Sequence, residues 1–318
     1  MDIELVWHAI QSVLTLVIIG GVGYVLARGN WFTAETKALL PKLVTLVALP
    51  PYMLYNITST LTHDDLMHMA YGTLVPMASI VMAFGISIVL ARLLKVGRER
   101  YGIFCSGFTA SNTIFIGLPV NIALFGEAAV PYVLLYYFAN TLFFWTIGNY
   151  MLSQGGEEAH RASLISKKTL KQLLSPPILG MLAGVAVIMA GVPLPQFIST
   201  SAKYLGSLTT PLAIMIIGIT LQGMNFSSIK LERELVFIAL GRFVVSPLTI
   251  IAITWFVPLP ELMRQVFIIQ SSLPAVVSLS LLASFYKSDP EFAAVAVSST
   301  TLISIITIPL FMVLVTHM

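Results

Sequence analysis

Two short stretches of this sequence place amides, hydroxyls, glycine and proline inside runs that are otherwise apolar. SNTIFIGLPVNIALFG, from Ser111 to Gly126, holds Asn112, Gly117, Pro119 and Asn121, and QSSLPAVV, from Gln270 to Val277, holds Gln270, Ser271, Ser272 and Pro274. Proline has no N–H to donate and its ring clashes with the preceding turn of a helix, while glycine tolerates dihedrals outside the helical well. Breaks are therefore expected near Gly117 to Pro119 and at Pro274, with helix restarting at Val120 and Ala275. A restarted helix presents unpaired N–H groups and the positive end of its dipole, and both favour an anion. Asn112, Asn121, Gln270, Ser271 and Ser272 are the side chains expected around that anion, as ligands rather than as reacting groups. The plainer alternative is that each proline merely kinks its helix and that the asparagines bond freed carbonyls. The matched occurrence of two such breaks argues for the site.

Arg242, in ELVFIALGRFVVSPLTIIAITWF, is the other residue whose type and place are unusual. It lies about seven residues into an apolar run, roughly 10 Å at 1.5 Å per residue. A charge at such depth is a functional candidate by default, here a fixed cation for a substrate carboxylate or a gating residue. The alternative is an arginine whose long stem lets it snorkel to the headgroups. Bond-making chemistry finds no support within the apolar runs, which hold no Asp pair, no His pair and no Ser with His. The five histidines lie near ends or in connections with no ligand spacing, and Cys105 is the single cysteine, so no metal or other cofactor is expected.

These residues sit in a chain built for lipid. Of 318 residues, 57% are hydrophobic and 10% charged, against about 25% charged in soluble domains. The expected fold is an all-α integral membrane protein with ten spans of about 20 apolar residues each, near 5–27, 36–57, 67–91, 101–124, 128–152, 173–192, 207–223, 235–257, 262–286 and 291–316. The start, MDIELVWHAI, lacks a basic n-region, so the first span is read as retained. Of the 17 Lys and Arg residues, thirteen fall in the connections after spans 1, 3, 5, 7 and 9, two (Lys203 and Arg264) on the other side, and two (Lys42 and Arg242) within spans. The positive-inside rule makes the first side cytoplasmic and puts both termini on the extracytoplasmic side. A net charge of +3 with no basic patch gives no sign of nucleic-acid binding.

The longest polar connection, 153–172, divides the chain into residues 1–152 and 173–318, five spans each, so that any repeat is inverted. Gly20 in span 1 answers Gly180 in span 6, Pro50 in span 2 answers Pro211 in span 7, and LPV at Leu118 to Val120 in span 4 answers LPA at Leu273 to Ala275 in span 9. Interrupted spans at corresponding places in two inverted halves point to a transporter's binding site. Non-helical backbone at that depth is tolerated where protein or a water-lined cavity receives it.

At this point the residues resemble a family. NTIFIGLP is similar to the fourth-span motif of the auxin efflux carrier family, and SLPAVVSLSLLASFYKSDPEFAAVAVSSTTLISIITIPL, Ser272 to Leu310, to the ninth and tenth spans of its bacterial members. Ser175 to Phe197 and Leu205 to Leu221 resemble its sixth and seventh spans. The resemblance implies crossed, broken spans 4 and 9, a scaffold of spans 1, 2, 6 and 7, and a transport domain of spans 3–5 and 8–10. It also implies elevator-like movement, a homodimer in the plasma (inner) membrane, and transport of an organic carboxylate such as malonate rather than auxin. By the motif Asn112, Pro119 and Pro274 carry over as site residues, and a basic residue before the span-8 proline supports Arg242. Where transport is coupled to an ion, H+ or Na+ is expected. With all 14 carboxylates in connections, at termini or at span ends, a proton would ride on the substrate or on a group such as Glu127. The alternatives are a sodium-coupled symporter of a bile-acid-like or other organic anion, or a passive channel or sensor on the same fold.

Overall fold

The computed structural model describes residues 3–156, 167–223 and 232–315. Among these the structure is helical, and its single β feature is a bridge between Ser111 and Ala275. Among the described residues six helices are found long and apolar enough to cross a membrane: Ala34–Thr60, His63–Leu93, Glu127–Gly155, Gln196–Gln222, Arg233–Phe256 and Pro290–Val315. They match expected spans 2, 3, 5, 7, 8 and 10, except that span 7 begins near residue 196 rather than 207. Span 1 corresponds to helix Ile3–Arg28 and span 6 to the shorter apolar helix Pro176–Ala190. Spans 4 and 9 are each two pieces, too short to cross alone. Half of the 153–172 connection, residues 157–166, lies outside the described residues.

Prolines shape the helices in a way that differs from a simple break. The wide turns Val44–Ala48, Thr113–Gly117 and Gly241–Val245 are π-helical, and each is followed by a helix with proline at its second position, Pro50, Pro119 and Pro247. Proline is tolerated there because the first helical N–H groups have no intrahelical partner. The wide turn lets the chain reset its hydrogen bonding before the proline instead of unwinding at it.

The helices form two compact units. One comprises Met1–Gly72, Ile114–Leu135 and Leu174–Met224. In it Ile3–Arg28 packs against Thr209–Gln222, and Leu49–Thr60 against Pro176–Ala190. Glycines permit the close approach: a Cβ on Gly218 would lie 1.8 Å from the Gly20 carbonyl oxygen, and one on Gly180 would lie 2.3 Å from that of Pro50.

The other unit comprises Thr73–Thr113, Tyr136–Leu173 and Asn225–Met318. Its core is aromatic and aliphatic, with Phe104, Phe108, Phe144, Leu279 and Tyr286 among its buried members. Ser79 and Thr249, on the helices of spans 3 and 8, share a 2.7 Å hydrogen bond inside it. This unit holds both interruptions of the chain at Ser111 and Pro274.

Candidate functional site

Helix Arg98–Thr109 ends at Ala110, whose backbone is extended, and no helix resumes until Thr113. The Ser111-Asn112-Thr113 run favours this end, because short polar side chains offer the backbone alternatives to helical bonding. Helix Glu261–Ser271 likewise stops at Ser272, and helix resumes at Ser278. Pro274 has no N–H and disfavours helical geometry at Leu273 before it. The two unwound segments run antiparallel: Asn112 N–H donates to Pro274 O at 2.9 Å, and Val276 N–H to Ala110 O at 3.2 Å. One rung of sheet thus satisfies backbone groups that lipid could not.

A side chain from the following helix steadies each segment. Asn140 Nδ2 donates to Ser111 O, and Asn140 Oδ1 accepts from Ser111 N–H, both at 3.0 Å. Thr300 Oγ1 accepts from Ala275 N–H at 3.2 Å.

Arg242 lies at the centre and is fully buried. Gly241 brings it there, for a Cβ at that position would stand 2.3 Å from the Phe108 ring. The guanidinium Nε donates to Leu273 O at 2.9 Å and one terminal nitrogen to Ser271 O at 2.7 Å. The other terminal nitrogen donates to Thr109 O, to Phe108 O at 3.4 Å and to Ser246 Oγ at 3.2 Å. Tyr136 faces the same guanidinium, and among the described residues no carboxylate pairs with it. The charge is compensated by backbone. Each helix C-terminus carries about half a negative elementary charge, and the two that end here together offset roughly one positive charge.

The expected site residues divide accordingly. Asn112, Gln270, Ser271, Ser272, Pro274 and Arg242 come together in this unit. The Asn112 amide, 5% exposed, has no partner among the described residues. Gln270 Nε2 donates to Thr113 O at 3.3 Å, while its Oε1 is buried and unpartnered. The Ser271 and Ser272 hydroxyls donate back to Ile268 O and Ile269 O of their own helix. Pro119 and Asn121 belong to the other unit, where Asn121 Nδ2 bonds Gly117 O at 2.7 Å and Oδ1 is buried without a partner.

Three expectations are corrected. The first break is at Ala110 to Asn112, not at Pro119, which sits at the start of helix Leu118–Phe125 behind a π turn. The second helix resumes at Ser278, not Ala275, and the N–H groups of Ala275 and Val276 are already bonded. Arg242 neither extends to a surface nor stands free in a cavity, because main-chain oxygens claim its donors. Asn140, Thr300 and Ser246 went unmarked in the sequence; the lone amide in the apolar run YYFANTLFFW was the available signal. Glu127 accepts from Tyr52 Oη at 2.6 Å and Asn56 Nδ2 at 3.1 Å. Among the described residues no group of three or more His, Cys, Asp or Glu could hold a metal.

The arrangement is a polar, cationic knot inside an apolar helical unit, suited to holding an ion rather than to making bonds. Comparison with known proteins agrees with a transport role. Residues 8–312 match the family described as membrane transport protein. An uncharacterized transporter of Methanocaldococcus jannaschii is 24% identical over 306 residues, covering 94% of this chain and 96% of that protein. An uncharacterized transporter of Methanothermobacter thermautotrophicus is 24% identical over 307 residues, covering 95% and 97%. A Rhizobium meliloti protein named "Putative malonate transporter" is 23% identical over 294 residues, covering 90% and 89%. With apolar helices that cross the bilayer several times and a family match over nearly its whole length, this chain belongs to the membrane transport protein family, that of the auxin efflux carriers.

Proposed function

We propose that this protein is a secondary transporter that carries a small organic carboxylate, of the size and charge of malonate, across the plasma membrane. The observation that carries the reading is the crossing itself: two interrupted helices paired at Ser111 and Ala275, with a buried cation beside them and the free Asn112 amide at their edge. Unused hydrogen-bond donors on the Asn112 amide, beside helix ends whose negative dipole charge the guanidinium balances, lower the cost of bringing an anion to membrane depth. Asn112 and Gln270 are the direct ligands, and Arg242 cancels the repulsion that the two helix C-termini would otherwise present.

The chain is read as ten spans in two inverted repeats that work as a homodimer. Support for the repeat comes from the parallel roles of Asn140 and Thr300, each on the helix that follows an interrupted one. It comes too from the pairing of each half's first helix with the second helix of the other half. Elevator-type alternating access is favoured because the whole crossing and its supports fall within one compact unit, which can carry the site as one body. A malonate-named relative supports the substrate class.

The test is uptake of labelled mono- and dicarboxylates by proteoliposomes, with currents recorded on a solid-supported membrane. Saturable uptake of one acid is expected. Asn112→Ala should weaken apparent affinity about 10- to 100-fold, the range for losing a hydrogen bond to a charged group. Unaltered affinity removes Asn112 from the site, and no uptake of any acid overturns the carboxylate reading.

A further inference from the structure

Five oxygens converge on the Arg242 guanidinium: the carbonyls of Phe108, Thr109, Ser271 and Leu273 and the Ser246 hydroxyl. Carbonyl and hydroxyl oxygens gathered at the C-terminal ends of broken membrane helices are the ligand set by which transporters hold a coupling cation. Here a guanidinium, part of the chain itself, has taken that set. Neighbouring carbonyls at the two breaks are claimed as well. Ala110 O accepts from Val276 N–H, Pro274 O from Asn112 N–H, Ser111 O from Asn140 and Thr113 O from Gln270.

We propose that Arg242 is a built-in counter-cation: it fills the oxygen cage in which a transporter of this construction would otherwise bind sodium, so transport through the crossing runs without sodium. A mobile cation entering the same cage would meet carbonyls that already accept hydrogen bonds and the repulsion of a fixed positive charge; the oxygens left without partners at the crossing, Thr109 Oγ1, Ser111 Oγ and Gln270 Oε1, belong to side chains. The cage is also permanently satisfied. A carrier with a dissociable cation loses that satisfaction in each cycle, whereas this one holds the two half-helix ends together throughout. The consequence for coupling rests on the transporter reading above, but occupancy of the cage stands apart from it.

Melting of the purified full chain is measured at equal ionic strength in sodium, potassium and choline chlorides, and carboxylate uptake is measured in the same salts. The wild-type melting temperature should not depend on the cation, and uptake should change less than about twofold, where a coupled ion changes affinity about 5- to 150-fold. Arg242→Ala empties the cage. It should melt lower and recover selectively when millimolar guanidinium, rather than choline, is added. Saturable stabilisation of the wild type by sodium overturns the proposal, as does an Arg242→Ala protein indifferent to guanidinium and as stable as wild type. If Arg242→Ala does not fold, Arg242→Lys, which keeps the charge but not the planar fork, should stay sodium-indifferent, and sodium stabilisation of that variant counts against the proposal. Melting needs no transported acid, so failure to find a substrate would undermine the transport reading and leave the cage result standing.

Discussion

Asn140 and Ser111 are joined as one peptide unit joins another. The amide of one side chain both donates to and accepts from the main chain of a single residue, with each bond at 3.0 Å. On its other edge the same segment pairs with the strand-like run through Pro274 and Ala275. Ser111 is thus treated as the middle of a small sheet whose outer strand is a side chain.

That relationship predicts a large effect from a small change. Asn140→Leu preserves volume but leaves the Ser111 N–H buried and unpaired, at about 1–3 kcal/mol, and takes one of two donors from its C=O, which keeps Thr113 N–H at 3.0 Å. Thr300→Val removes the single acceptor of Ala275 N–H and, with no second bond lost, should cost somewhat less. Thermal unfolding in detergent, followed by size-exclusion fluorescence, should rank the two in that order. Equal melting of Asn140→Leu and wild type would show that water replaces the amide.

Close helix approach supplies a second prediction. A Cβ on Gly102 would fall 2.3 Å from the Met151 carbonyl oxygen, while one on Gly85 would meet nothing within 4 Å. Gly102→Ala forces backbone apart in helix Arg98–Thr109, the helix that delivers the first break, and should cost about 1–3 kcal/mol as other overpacked positions do. Gly85→Ala, on an exposed face of helix Leu74–Leu93, should be neutral or gain up to about 1 kcal/mol from helix propensity. Expression and melting of the pair separate the steric effect from loss of glycine as such.

The sequence displayed the outline of this site and concealed its wiring, for reasons that lie in the kinds of groups involved. Pro274 was legible because proline forbids the helix by its own covalent structure. Pro119 misled because a π turn absorbed it, and the break went instead to Ser111, where local hydrogen bonding competes with the helix less visibly. The depth of Arg242 could be read from its apolar flanks. Its partners could not, since they are mostly main-chain carbonyls that every residue possesses and that no side-chain pattern announces. Asn140 and Thr300 escaped for the same reason, for what they bind is backbone.

Outside the apolar layer, Arg100 ties together the starts of three helices, and its electrostatics yield the last prediction. Nε donates to Asp289 Oδ2 at 2.7 Å, a terminal nitrogen bonds Glu232, and the guanidinium carbon lies 4.5 Å from the centroid of the Phe292 ring. Asp289 serves twice, because its Oδ1 also accepts from Phe292 N–H at 3.0 Å and caps helix Pro290–Val315. Burial opposes the arginine's charge, but the hydrogen bonds and attraction of Asp289 and Glu232 outweigh it, and the pKa of Arg100 is raised. A raised basic pKa contributes stability that is present below the unfolded value and is lost only as pH climbs past the folded one. For arginine that window lies above about 12, so changes around neutral pH should leave its contribution intact. Salt should not, because the groups are partly exposed and screened, and the pairs are worth about 1 kcal/mol or less. Arg100→Gln should therefore melt slightly lower than wild type in dilute buffer and converge with it in high salt. Asp289→Asn, which keeps an acceptor for the cap, should resemble Arg100→Gln, whereas Asp289→Ala should lose about a further 1 kcal/mol with the cap. A salt-independent deficit in Arg100→Gln would assign its role to packing on Phe292 instead of to charge.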